Sequence, residues 1–296
     1  MNHAQLRAFY AVAREGGFTA AARVVNLTQP TISGQVKALE ETYGVRLFER
    51  RGRRVETTPL GEELLDLARR IFDLEDQARD MLTAARDLGH GSLRVGADGP
   101  YHVIPALAAF NQRYPGLDIS LKVGNSEEVL RDLLDYACDV AVLANLQEDP
   151  RLFALPFRRD SLMIFVAKDH PLARQTSVDL AELDGQPMVM REVGSATRRI
   201  FEDALHRSGV EAGAVMEMDG REAVREAVAA GLGLGVVSEA EYVADNRLKA
   251  LGLNGAKLLM TEYLVCLAER RKLRMVSAFF EIAGKLARVQ QGPTKP

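Results

Sequence analysis

The chain has 296 residues, 47% hydrophobic and 27% charged, with a net charge of −3. Such a length predicts two or three folding units, and with no run of about 18 apolar residues, no bilayer-spanning helix is expected. The small net charge conceals an asymmetry: residues 1–58 hold nine Arg or Lys against five Glu, so a basic head precedes an acidic remainder, as expected of a polyanion-binding module joined to something else. The opening "MNHAQLRAFYAVAREGG" lacks a basic region, apolar core and small-residue cleavage site, so export is not expected and the chain is placed in the cytoplasm. The two cysteines, Cys138 and Cys266, lie in apolar strand-like runs and are read as buried structural thiols of a reducing compartment.

Leu6, Phe9, Tyr10 and Val12 recur at helical spacing, giving a first helix that Gly16–Gly17 ends. Thr19 can cap a second helix, Ala20 to Val25, and Asn26–Leu27 make a tight turn. Thr28 then caps a third helix with Pro30 in its first turn, where a missing N–H costs nothing. Ile32, Val36 and Leu39 form its inward stripe, and Gln29, Pro30, Thr31, Ser33, Gln35 and Lys37 its outward face. A polar outer face suits any three-helix bundle. It also suits a helix-turn-helix, whose second helix lies in the DNA major groove and reads base edges.

The next segment separates these readings. After Val45, Leu47 and Phe48 come Arg50, Arg51, Gly52, Arg53 and Arg54. Four arginines around one glycine repel each other in a solvated loop, and phosphates are their natural partner, because the guanidinium fork matches phosphate oxygens. The segment from Phe18 to Gly61 resembles the winged helix-turn-helix of LysR-type bacterial transcriptional regulators. The match rests on Ala21–Ala22, Gln29-Pro30 with Ser33, Leu39-Glu40, Gly44, Leu47-Phe48 with Arg50, and Thr58-Pro59 with Gly61. The resemblance implies double-stranded promoter DNA as partner, bound by Gln29, Thr31, Ser33, Gln35 and Lys37, with the wing arginines on phosphates.

Thr58 and Pro59 open a further helix, with Glu62–Glu63 at its positive end. Its apolar positions, Leu60, Leu64, Leu67, Ile71, Leu74, Ala78, Met81, Ala85 and Leu88, alternate spacings of four and three. That is a coiled-coil seam of roughly 44 Å. The alternative is one long helix packed on its own body, but a narrow stripe is better explained by a twin. The partner expected is a second copy of the chain, in a homodimer built on this linker and extended to a homotetramer. The family uses the equivalent helix for dimerisation.

From Leu93 strand-like and helix-like segments alternate: 93–95, a helix through 105–113, 118–123, a helix over 127–136, and 139–143. Later strands are 162–166, 188–190 and 236–237, with helices near 198–207 and 221–230, then strand 262–268 and helix 273–289. This rhythm predicts parallel sheets flanked by helices. The expected fold class is therefore α+β and α/β. It comprises a winged helix-turn-helix over 1–58, a linker helix over 59–90, and a two-lobed α/β domain over 91–296. Lobe I takes about 91–160 and 265–296, lobe II about 161–264, with two crossovers near 160 and 265 and the ligand between the lobes. Such a body resembles periplasmic solute-binding proteins, and the LysR family carries one as its effector-sensing domain.

An enzyme is not expected. The sequence holds no G-x-S-x-G elbow, no metal-spaced His/Cys cluster and no P-loop, and "GLGLG" at 231–235 follows a helix and precedes a strand, the reverse of a dinucleotide fingerprint. Catalytic residues, metal and cofactor are accordingly none. A free-standing solute receptor without a DNA role leaves the basic head unexplained. Three turns open helices towards the expected cleft: 96–102, 124–126 and 194–198. Helix starts bearing free N–H groups and hydroxyls hold anions, although plain capping by Ser126 and Ser195 is the alternative. The expected effector is a small anion, with Asp98, Tyr101, His102, Ser126, Ser195, Thr197 and Arg198 as candidate contacts. The segments "GADGPYHVIPALAAF" and "GNSEEVLRDLLDYACDVAV" look like the LysR branch associated with aminoethylphosphonate catabolism. That likeness implies 2-aminoethylphosphonate, phosphonate on the Ser/Thr/Arg helix ends and amine near Asp98. The alternative is a carboxylate metabolite, with Asp98 merely capping.

Overall fold

Asn2 and Gln5 satisfy each other's backbone N–H groups, at 2.9 Å each, and so start α1 (His3–Glu15). The computed structural model describes residues 1–51, 54–84, 91–254 and 258–290, in two units, Met1–Leu88 and Gly89–Pro296. Gly16, at a φ of 67°, ends α1 in the left-handed region that suits glycine. Helix α2 (Phe18–Val24) starts earlier than the sequence predicts. Its N-cap is Gly17, without a side-chain bond, and Thr19 lies inside the first turn, because Phe18 packs on Phe48 at 5.9 Å and draws the helix start inward. Helix α3 (Gln29–Tyr43) is capped by Thr28, whose hydroxyl accepts from Thr31 N–H at 3.3 Å.

Strands β1 (Phe48–Arg51) and β2 (Arg54–Thr57) pair antiparallel with Phe48 opposite Thr57. The Glu40 carboxylate fastens this hairpin to α3 by accepting from Leu47 N–H at 2.7 Å and Phe48 N–H at 3.3 Å. Helix α4 (Pro59–Ala84) follows, with Thr58 accepting from Gly61 N–H at 3.0 Å. A Cβ at Gly61 would collide with the Leu47 carbonyl, so only glycine permits this close approach. The core of the unit joins Phe9, Val12, Ala21, Ile32, Val36 and Leu39 with Leu65 and Ala68 of α4.

In the second unit β3 (Ser92–Ala97), α5 (Pro100–Arg113), β4 (Asp118–Val123), α6 (Ser126–Leu134) and β5 (Val140–Ala144) form the first lobe's parallel framework. Strand β6 (Leu152–Ala167) is 16 residues long and serves both lobes. Then come β7 (Ser177–Val178), β8 (Met188–Arg191), α7 (Ala196–Arg207), β9 (Val215–Met218), α8 (Arg221–Ala229), β10 (Leu234–Ser238) and β11 (Leu248–Leu253). Strand β12 (Leu259–Leu267) returns to the first lobe, where α9 (Arg274–Gln290) is the last element among the described residues. The strand order is β4-β3-β5-β12-β6-β10-β8-β9, with β11 pairing β6 and β7. Residues 152–161 of β6 pair with β12 and residues 162–167 with β10 and β11. One crossover therefore falls at Asp160–Ser161. The other comes before 265, since β12 already pairs with β5 at Glu262.

Each lobe has its own core, Phe110, Phe279 and Leu93 in the first and Phe201, Ile164 and Met188 in the second. Cys138 and Cys266 are buried free thiols, which burial pushes up to about 12 and about 11. Among the described residues no helix is long and apolar enough to cross a membrane.

Candidate functional site

In the first unit the face of α3 is exposed at Gln29, Pro30, Thr31 and Lys37 and half-buried at Ser33 and Gln35. The Thr28 and Thr31 hydroxyls lie 2.8 Å apart at the helix start. The first turn carries no acidic side chain, so the positive dipole end faces an anion without a competing carboxylate, although Thr28 caps Thr31 N–H and Pro30 has none. Lys37 pairs loosely with Glu41, at 3.5 Å, on an exposed face where such a pair is easily exchanged for phosphate. Arg50 and Arg51 belong to β1 and Arg54 to β2. Gly52 and Arg53, and the side chains of the other three arginines, lie outside the described residues.

Helix α4 divides its apolar residues between two faces. Leu65 and Ala68 are buried in the unit's core, and Phe72 stacks on Tyr10 at 5.0 Å. Leu60, Leu67, Ile71 and Leu74 of the heptad seam stay exposed, Leu67 at 54% and Leu74 at 62%. Leu64 is half-buried against the head, whereas Ala85, Leu88 and the Met81 side chain lie outside the described residues.

In the second unit a narrow cavity opens between the lobes. Its lining includes Asp98, Asn125 and Ser126 from the first lobe, Arg191, Ser195, Thr197 and Arg221 from the second, and Met260 and Glu262 from β12. Asn125, not Ser126, caps α6, in a capping box with Glu128. That arrangement frees the Ser126 hydroxyl to donate to Asp98 Oδ2 at 2.6 Å, while Ala144 N–H donates to the same oxygen at 2.8 Å. Asp98 Oδ1 is buried with no hydrogen-bond partner among the described residues. Ser195 caps α7, and Thr197 touches the Met260 sulfur at 3.7 Å.

The structure brings together four of the seven effector candidates: Asp98, Ser126, Ser195 and Thr197. It directs Arg198 elsewhere, to Glu217 at 2.5 Å, Glu202 at 2.7 Å and the Arg191 carbonyl at 2.8 Å, so that it ties α7 to β8 and β9. Tyr101 lines a neighbouring pocket with Phe165, Arg225 and Tyr242. His102 is buried behind the first cavity, 3.7 Å from Glu262, 3.9 Å from Asp160 and 4.0 Å from Glu241, and burial lowers its pKa towards the neutral imidazole.

The cations of the cavity are Arg191 and Arg221, which the sequence reading did not single out. Arg191 is nearly buried and forks onto Glu192, which also accepts from Gly220 N–H at 3.1 Å. Burial opposes ionisation of Glu192, yet the Arg191 guanidinium and backbone N–H groups hold it down at about 2. Arg221 Nη2 reaches Glu241 at 2.8 Å. Burial raises the Glu241 carboxyl above its ordinary range against the pull of Arg221. Gly99 lets Glu241 approach the α5 start, since a Cβ there would collide with its carboxylate. Signals existed for these residues. Arg191 ends a buried strand, Arg221 is a cation at a helix start where the dipole disfavours one, and Glu262 interrupts an apolar strand.

Residues 3–62 match the family described as "Bacterial regulatory helix-turn-helix protein, lysR family", and residues 86–288 match "LysR substrate binding domain". A RuBisCO operon transcriptional regulator of Allochromatium vinosum is 34% identical over 283 residues, 94% of this chain and 93% of that protein. The HTH-type transcriptional activator CmpR of Synechocystis sp. is 34% identical over 236 residues, 79% of this chain and 78% of the relative. Among solved structures, the Synechocystis PCC6803 CcmR regulatory domain in complex with 2-PG superposes with a TM-score of 0.62 at 27% identity. That likeness covers 67% of this chain and 98% of the domain.

Proposed function

The chain belongs to the LysR family of bacterial transcriptional regulators, and on that premise we propose how it meets its operator, its twin and its effector. It is a DNA-binding regulator with an effector domain and not an enzyme. The proposed operator contacts are Gln29, Thr31, Ser33, Gln35 and Lys37 on base edges, with Pro30 shaping the helix start and Arg50, Arg51, Arg53 and Arg54 on phosphates. The exposed seam of Leu60, Leu67, Ile71 and Leu74 supports dimerisation through α4, since four large apolar side chains on one helix face are stabilised by a matching helix. Pairs of dimers complete a homotetramer on cytoplasmic promoter DNA.

The effector is a small anion held between the lobes. The observation that carries this reading is the meeting of Arg191, Arg221, Ser126, Ser195 and Thr197 at one cavity. Within that class, 2-aminoethylphosphonate places its phosphonate on Ser126, Ser195, Thr197 and Arg191. Its amine then faces the open oxygen of Asp98. Arg198, Tyr101 and His102 support that ligand from outside the lining. A second reading, a carboxylate or 2-PG, is favoured by the CcmR domain, whose complex contains 2-PG.

Calorimetry of the full chain with 2-aminoethylphosphonate, ethylphosphonate and 2-PG tests both. Binding of the first with loss of affinity in Asp98→Asn, and ethylphosphonate unaffected by that change, is the expected result. Heat with 2-PG alone would replace the phosphonate, and no heat with any of the three would remove the anion reading.

A further inference from the structure

One side chain of the cavity stays unexplained by anion binding to arginines and hydroxyls. Glu262 on β12 is 1% exposed and lines the cavity. Ordinary alternation along β12 puts Glu262 on the buried face with Met260 and Leu264, opposite Arg158 and next to a register shift whose extra residue, Phe157, lies on β6. Among the described residues neither of its carboxyl oxygens has a hydrogen-bond partner. The cavity's cations are engaged with other acids, Arg191 with Glu192 and Arg221 with Glu241. The remaining neighbours bring little positive charge. Asp98 comes from the β3–α5 turn, Glu241 from the turn after β10, and Asp160 from β6, where it is paired with Arg158 at 2.7 Å. His102 from α5 is shifted towards its neutral form.

An ionised carboxylate there would be a buried charge without a cation of its own, beside other acids and facing an incoming anion. A carboxylic acid avoids that cost and supplies an O–H donor. Building on the anion reading above, we propose that Glu262 is a binding residue of the effector cavity that acts as a carboxylic acid, donating a hydrogen bond to an oxygen of the bound anion. Burial, then the nearby Asp98 and Glu241, hold its carboxyl well above the usual carboxylate range, which keeps that proton in place. Anion affinity is then highest where Glu262 is neutral and falls as rising pH ionises it.

Sulfate is a suitable probe because its own charge does not change from mildly acid to alkaline pH. With the full chain, sulfate affinity measured by calorimetry should decline at the alkaline end, by up to about tenfold per pH unit. Glu262→Gln, which keeps a neutral donor, should bind sulfate at all pH values and lose that decline. An infrared difference spectrum of the unliganded proteins should show a carboxylic-acid C=O band in wild type that Glu262→Gln lacks. An unchanged pH slope in Glu262→Gln, loss of the slope in Glu241→Gln instead, or no such band would overturn the role of Glu262 while leaving the anion site standing. Failure of wild type to bind sulfate at any pH would remove the anion site and this role together.

Discussion

In the helix-turn-helix unit the groups proposed to act, from Gln29 to Lys37, stand outside a core built by Ile32, Val36 and Leu39. In the two-lobed unit Asp98, Ser126, Arg191 and Ser195 are themselves buried. The two arrangements divide the cost of recognition differently. Exposed donors stay hydrated until a polyanion arrives, so losing one weakens binding and spares the fold. Buried donors are desolvated during folding, so losing one strands its partner and affects stability and binding together.

The largest expected effect comes from the exposed region. Leu67→Lys with Leu74→Lys puts charges into the seam, and sedimentation should show monomer in place of dimer. Affinity for a two-half-site operator should drop about 100-fold or more as the second half-site loses its tether. An intact dimer would show that the exposed leucines of α4 are not the interface.

Arg191→Ala comes next and tests the buried side. Anion affinity should fall roughly tenfold to a hundredfold for one charge-assisted bond lost. Tm should fall too, because Glu192 keeps its half-buried carboxylate without its guanidinium. Arg198→Ala, whose side chain bonds Glu217 and Glu202, should change anion affinity far less. Equal losses for the two arginines would erase the distinction between lining and supporting residues.

Arg50→Ala with Arg51→Ala should weaken specific and non-specific DNA alike, by roughly tenfold, and flatten the salt slope by about 2. Thermal stability should stay near wild type. A large drop in Tm would mean that the wing arginines stabilise the fold, contrary to the contrast drawn above.

The smallest effect concerns stability at Glu262. Its folded pKa is raised, so the folded chain keeps a proton that an unfolded glutamate releases. Stability from this group is therefore lost as pH rises from the ordinary carboxylate range to the raised value. Glu262→Gln removes that loss, so its Tm should exceed wild type at alkaline pH and the gap should close on acidification. A gap independent of pH would assign the change to packing.

Much of the first unit was legible because its determinants are local. Gly16, Thr28, Pro30 and Gly44 act within one helical turn of the ends they set, and the seam of α4 repeats within a single helix. The start of α2 escaped, since Phe18 answers to Phe48, 30 positions away in the chain. In the second unit the helix openings at Ser126 and Ser195 were readable as hydroxyls beside free N–H groups. Arg198 looked equivalent to them in the sequence, but its reach to Glu217 on β9 is a tertiary fact.

The sequence by itself determined the helix-turn-helix, the apolar heptad stripe of α4, the two-lobed α/β rhythm and the family, because periodicity, caps and turn residues act over a few neighbours. Only the tertiary structure decided which charges share the cavity. Arg191, Arg221 and Glu262 come from the end of β8, the start of α8 and the returning strand β12. Their ionisation and pairing depend on burial and on partners brought from distant segments, and no local pattern encodes either.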